Sequence, residues 1–153
     1  MKILLDTTYL LPAIGIAIKG QPNDLPIKLL EKEHEIYVSQ ITLFELAAKG
    51  SKYILEGSLM PEKVTRGIRA IVYNSEIQTI PTHDSKILLT AFKLKGKLND
   101  FIDCLILSSA INQCYALITE DSDIQNLKKN KEFNELQKTT NTTFKIQKLT
   151  EIL

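Results

Sequence analysis

Five short apolar runs, each too brief for a helix and the first four set apart from one another by one or two helical patterns, constrain this 153-residue chain more than anything in its composition. The runs are Lys2-Ile3-Leu4-Leu5-Asp6, Ile36–Ser39, Ile77–Ile80, Tyr115–Thr119 and Thr143–Ile146. Unbroken apolar residues rather than strict alternation predict strands buried on both faces. Helical periodicity covers Pro26–Glu33, Ile41–Leu55, Pro61–Ser75, Ser85–Lys95 and Phe101–Gln113, with Pro26 and Pro61 suited to first helical positions. Strands separated by helices predict a parallel sheet of four to five strands with helices on both faces, an α/β fold of three layers. A chain of this length buries about 70% of its unfolded surface, so one domain spanning residues 1–153 is expected. Lys128–Lys138 is polar enough to read as a solvated connection.

Composition then removes several classes. The chain is 44% hydrophobic and 24% charged, as globular proteins are. The uncharged run Thr7–Ile18 contains Pro12 and falls short of the roughly 18 apolar residues a bilayer span needs. Lys2 precedes an apolar run as in a signal peptide, but Asp6 interrupts it and cleavage would remove the first strand. Cys104 and Cys114 are ten residues apart on one predicted helix, about 15 Å, too far to bridge. They read as small core residues of a cytoplasmic protein. The two histidines suggest no zinc site.

In a parallel sheet ligands gather outside the carboxyl ends of the strands, and several acids fall there. Asp6 ends the first strand, though before Thr7 and Thr8 it equally suits a helix cap. Glu45 shares a helical stripe with Ile41 and Ala48, though Glu45 and Lys49 also have the spacing of a surface ion pair. Asp103 opens a helix three residues after Asp100, an arrangement that fits capping as well as a site. Asp121 and Asp123 lie in an acidic turn after Thr119 and suit a cap too, Asp123 slightly more so than a ligand role. Each acid has an ordinary explanation. Together they would sit at one edge of the sheet, where crowded carboxylates repel unless a cation intervenes. Oxygen ligands without Cys or His suit Mg²⁺ or Mn²⁺. Net charge is +1, but 19 Lys and Arg stand against 13 acids once these five are set aside, a surplus of six that suits a polyanion.

In order and spacing, Ile3–Thr8, Ser39–Glu45, Asp103–Ala110 and Leu117–Asp123 resemble the PIN domain, and its VapC-type toxin branch in particular. The resemblance runs from Lys2 to about Leu127 and departs from the family at Ile124, where an aromatic is common, and at Ser108 and Ser109, where alanines are usual. It implies a metal-dependent ribonuclease with Asp6, Glu45, Asp103 and Asp121 as its acidic quartet. Asp123 matches an auxiliary acid, and Thr7 and Thr119 match the hydroxyl residues beside the metal. It also implies RNA as substrate, a homodimer and a small antitoxin partner.

Such a site hydrolyses phosphodiesters through cation-activated water and needs no protein nucleophile. Thr7 or Thr8 would hold a water, and Lys49 or Lys52 would contact the phosphate backbone. No aromatic stacking platform stands out in the sequence. Aspartyl-phosphate phosphohydrolases also begin with a strand ending in Asp, but they want an acid two residues on, where this chain has Thr8. A PIN-like scaffold that binds RNA or protein without cutting, and an RNA-processing nuclease outside toxin–antitoxin systems, are the remaining alternatives.

Overall fold

The computed structural model describes residues 1–153. Strand β1 (Lys2–Leu5) leads into a 3-10 helix (Thr7–Ile14), followed by α1 (Leu25–Glu31), β2 (Glu35–Ser39), α2 (Gln40–Leu55), α3 (Pro61–Val72), β3 (Ile77–Ile80), α4 (Ser85–Leu94), α5 (Phe101–Gln113), β4 (Ala116–Ile118), α6 (Ser122–Asn126), a 3-10 turn (Leu127–Lys129), α7 (Lys131–Thr140), β5 (Lys145–Gln147) and a last 3-10 turn (Leu149–Glu151). The five strands form one sheet in the order β3-β2-β1-β4-β5, every neighbouring pair parallel. This is the three-layer α/β/α architecture expected from the pattern of strands and helices.

The middle strands are apolar throughout because both faces of the sheet are covered. Ile3, Leu4 and Leu5 are fully buried, and so are Ala116, Leu117 and Ile118. Leu4 and Leu117 point into a core shared with α4, α5 and α7, while Ile3, Leu5 and Ile118 join the 3-10 helix, α1, α2 and α3 on the other face. On that second face α3 lies against the 3-10 helix so closely that a Cβ at Gly67 would run into the Ala13 carbonyl. No helix is long and apolar enough to cross a membrane.

Local chemistry fixes where the helices begin. The Ser39 hydroxyl accepts from the Ile41 amide to start α2, and Asp84 accepts from the Lys86 and Ile87 amides to start α4. Asp100 accepts from the Ile102 amide at α5. Pro26 and Pro61 stand in the first turns of α1 and α3, with Leu25 ahead of Pro26.

Two expectations need correction. Lys128–Lys138 is not a solvated connection: α7 occupies most of it, capped by the Asn130 side chain, which accepts from the Phe133 amide. Phe133 is buried beneath this polar helix, and one anchor of that kind leaves too weak a periodicity to read. The fifth strand begins two residues later than expected, because the Thr143 amide donates to the Asn141 side chain in a turn that carries Phe144 into the core. Residues Thr7–Ile14 form a 3-10 helix despite Pro12, ended by Gly15 in the left-handed region at φ 97°.

Candidate active site

The order of strands reverses at β1, which pairs with β2 on one side and β4 on the other. A crevice is expected outside the carboxyl ends of strands at such a point. Leu5 is in register with Ile118, and the ladder continues one step further where the Asp6 amide donates to the Ile118 carbonyl at 3.1 Å. Asp6 and Thr119 are thereby held side by side at the rim of the sheet.

Here lies a cleft of about 460 Å³ whose nine lining residues include no apolar side chain. Asp6, Glu45, Asp103 and Asp121 line it, and so do Thr7, Thr8 and Lys49. Asp100 and Glu120 complete the wall, making six carboxylates against one lysine. Asp100 was noticed in the sequence only as a cap. Glu120 gave no separate signal, since only its position beside the β1–β4 rim brings it in.

Each carboxylate is positioned by a different device. Asp6 is buried, and it accepts from the Thr7 amide at 2.7 Å on one oxygen and from the Thr119 hydroxyl at 2.5 Å on the other. It thus caps the 3-10 helix and lines the cleft at once. Glu45 projects from the second turn of α2 and accepts from the Thr7 hydroxyl at 2.5 Å, and the same hydroxyl lies 3.2 Å from that of Thr42. Asp103 stands in the first turn of α5 with no recorded hydrogen bond to its side chain. Asp121 caps α6 by accepting from the Ile124 amide, while its own amide donates to the Thr119 hydroxyl. Glu120 is held from behind by the buried Tyr9 phenol, which donates to it at 2.9 Å, and by the Leu149 amide.

Asp123 and Lys52 are not brought into this group. Asp123 lines a separate recess with Lys97 and Asn126, and the cap of α6 is Asp121, not Asp123. Lys52 lies one turn beyond Lys49 and outside the cleft lining. Thr119 sits behind Asp6, fully buried. Glu45 and Lys49 do not form the surface ion pair their spacing allowed, since the two ion pairs in the chain lie elsewhere.

Burial governs the electrostatics, and neighbouring charge adds to it. Asp103 is pushed up from the ordinary 3.8 to about 7, first by loss of water around it and then by Asp100, Asp6, Asp121 and Glu45. Burial raises Asp6 as well, opposed by its bonds from Thr119 and Thr7 and assisted by the charge on Asp121. Burial raises Glu45, opposed by the Thr7 hydroxyl and Lys49. Burial and the bond to Glu120 hold the Tyr9 phenol above its usual range, so it remains a donor.

A divalent cation fits this donor set, because added positive charge offsets both the loss of water around Asp103 and the repulsion from its acidic neighbours. All the donors are hard oxygens. No three acids close into a ready-made cage, which is compatible with an ion such as Mg²⁺ that keeps several waters and takes one or two carboxylates.

With this geometry in place, comparison with known proteins is informative. The model of the family described as "PIN domain" matches residues 3–130. No curated protein sequence matches the chain. Among solved structures, similarity extends to VapBC2 from Rickettsia felis bound to a DNA fragment from their promoter, at 21% identity and a TM-score of 0.60, covering 97% of this chain and 98% of that one. DNA-bound VapBC from Salmonella typhimurium aligns at 19% identity and a TM-score of 0.59 over the same shares of each chain. VapBC-5 from Mycobacterium tuberculosis, of a family of toxin-antitoxin systems, aligns at 15% and 0.55, again over 97% and 98%. At such identities the likeness establishes the fold.

Proposed function

Since this chain belongs to the PIN domain family, we propose that it is a Mg²⁺- or Mn²⁺-dependent endoribonuclease in which Asp6, Glu45, Asp103 and Asp121 form the metal site, one or two of them binding the ion directly and the others through its waters. The observation that carries this reading is the cleft itself, six carboxylates and no apolar lining, where burial and then neighbouring acids raise Asp103 to about 7. When bound, a divalent cation supplies Lewis-acid activation of water and charge neutralisation at a scissile phosphate.

The chain's own residues do the rest. Thr119 and the Thr7 amide fix both oxygens of Asp6, so its remaining lone pairs face the cleft in one orientation. The Thr7 hydroxyl fixes Glu45, and through it the 3-10 helix and α2 keep a constant separation across the site. Lys49, beside Asp6 and Glu45, draws the phosphate backbone toward the acids. Tyr9 and the Leu149 amide hold Glu120 back against the wall. Asp123 has no part in this set.

The similarity to VapBC structures over nearly the whole chain supports a wider reading. On it, residues 1–153 form one catalytic domain, the toxin partner of a small antitoxin, homodimeric and cytoplasmic.

The test incubates purified protein with mixed structured and single-stranded RNAs in Mg²⁺, with EDTA and Asp6→Asn as controls. Cleavage is expected to vanish in both controls, and Glu45→Gln, Asp103→Asn and Asp121→Asn each to lose orders of magnitude, with double variants hardly worse because the four act as one unit. Mn²⁺ should also raise the melting temperature of the wild type, as any ligand of the folded state does. Cleavage that survives EDTA overturns the mechanism. Inactivity on every RNA with no effect of Mn²⁺ on melting would favour a binding scaffold instead.

A further inference from the structure

The two elements that flank the acidic cleft, the 3-10 helix and α2, also flank a second recess. The 3-10 helix contributes Thr7 and Thr8 to the cleft at its start, and at its far end Gly15, Ile16 and Ala17 line a second recess of about 290 Å³. Helix α2 contributes Glu45 and Lys49 to the cleft and then Tyr53 to that recess, which Ser58 and Leu59 complete.

The spacing on α2 is regular. Glu45, Lys49 and Tyr53 follow one another at four-residue steps, so a carboxylate, a cation and an aromatic ring lie along one side of the helix. From Glu45 to Tyr53 is about 12 Å along the axis, a span that an extended single strand covers in a nucleotide or two. Lys52 stands one turn beyond Lys49, exposed, and Lys63 lies against Gly15 at the rim of the recess. None of these three lysines is engaged in an ion pair, since the two in the chain use Lys28 and Lys97.

The recess has the chemistry of a stacking pocket. Tyr53 is partly exposed at the end of α2, and its backbone is fixed there because its carbonyl accepts from the Ser58 and Leu59 amides and from the Ser58 hydroxyl. Gly15 forms part of the floor, where a Cβ would press on the Leu59 and Lys63 side chains. Apolar walls, one ring and one hydroxyl suit a single flat heterocycle. Stacking of that kind tolerates any base and gains much of its strength from flanking cations.

We propose that this recess is a base-binding subsite, in which Tyr53 stacks on an unpaired base of a single-stranded RNA while Lys49 and Lys52 neutralise the phosphates between that base and the cleft. The assignment rests on the nuclease reading. It makes single-stranded RNA, or a loop with splayed bases, the preferred substrate class, because a paired base could not enter.

The experiment uses ten-nucleotide single-stranded RNAs, each carrying 2-aminopurine at one position, with Ca²⁺ replacing Mg²⁺ to permit binding without turnover. Wild type is expected to quench the probe strongly at one position. Tyr53→Leu should abolish that quench and weaken binding about five- to hundredfold, the usual range for one lost stacked base, whereas Tyr53→Phe should keep both. Ala17→Trp, which fills the recess while leaving residue 53 a tyrosine, should act like Tyr53→Leu, and melting temperatures identify any variant that is merely misfolded. If wild type binds and cleaves RNA but Tyr53→Leu and Ala17→Trp both match it in affinity and quenching, the subsite is refuted and the nuclease reading survives. If wild type neither binds nor cleaves any RNA, both fall together.

Discussion

Helices α5 and α2 each bring one carboxylate of the proposed quartet to the cleft, but α5 is enclosed along nearly its whole length and α2 on one flank only. From Cys104 to Ile111 every residue of α5 is buried, whereas α2 buries Thr42, Leu46 and Gly50, a single stripe repeating every fourth residue. Asp103 therefore needs no hydrogen bond to hold its place, since moving it means moving a helix that is jammed between the sheet and its neighbours. Glu45 sits on a helix with one fully buried stripe, and the Thr7 hydroxyl adds a direct tether to its carboxylate. Packing fixes one acid and a polar bond fixes the other, so the two should fail differently.

The largest expected difference lies in the core. Leu107→Ala on α5, at a fully buried position, should cost about 2–5 kcal/mol in a denaturant titration. Phe44→Ala on the open flank of α2, where the ring is 68% exposed, should stay within about 0.5 kcal/mol. Equal losses would break the distinction between the two helices.

A smaller effect should follow Thr7→Val, which keeps shape but removes the hydroxyl that bonds Glu45. The expected loss is about 1 kcal/mol of stability, accompanied by weaker Mn²⁺ binding in a calorimetric titration. Undiminished Mn²⁺ affinity would mean that Glu45 needs no tether.

The least dramatic test is a pH series on metal-free protein. Asp103 has a folded-state pKa of about 7 against an ordinary 3.8, so between those values the folded chain binds more protons than the unfolded one. The contribution from Asp103 is therefore fully present below about pH 4 and fades as pH rises through 7. Asp6 and Glu45 are raised too and act in the same direction. His34 is lowered by burial and acts in the opposite sense, costing stability as pH falls through its unfolded value of 6.5. Subtracting an Asp103→Asn series removes these shared trends. The difference in melting temperature should shift in favour of the variant on going from pH 4 to pH 7, and a flat difference would show that Asp103 is not crowded.

Much of this was readable from the chain because the buried strands and the best capped helices announce themselves locally. β3 and α5 have the bounds that periodicity predicts, and β1, β2, β4, α2 and α4 come within a residue at each end. α7 is hard to read because Phe133 is its sole buried anchor in a polar stretch, whereas a helix after Asp6 is suggested by the cap itself. The acids at strand ends could be placed on one edge of the sheet, since parallel pairing dictates it. Asp123 could not be separated from Asp121 by that logic: two residues apart in a turn, one lines the cleft and the other faces away, a matter of turn geometry rather than of sequence pattern. Tyr53 was missed for another reason, as its four-residue step from Lys49 gains meaning only once the 3-10 helix is seen beside α2.

The pairing of β1 with β4 also sets a timetable. Of the five strands, the first to be made is the middle strand of the sheet, and its partner on the Asp121 side ends at Ile118, more than a hundred residues later. Until that stretch has been made, Asp6 lacks the carbonyl that seats its amide, and an apolar edge of Ile3, Leu4 and Leu5 waits uncovered. Such an edge invites pairing with other chains. A polypeptide stalled before β4 is thus harmless as a nuclease and hazardous as an aggregate, and the cleft comes into being late and all at once.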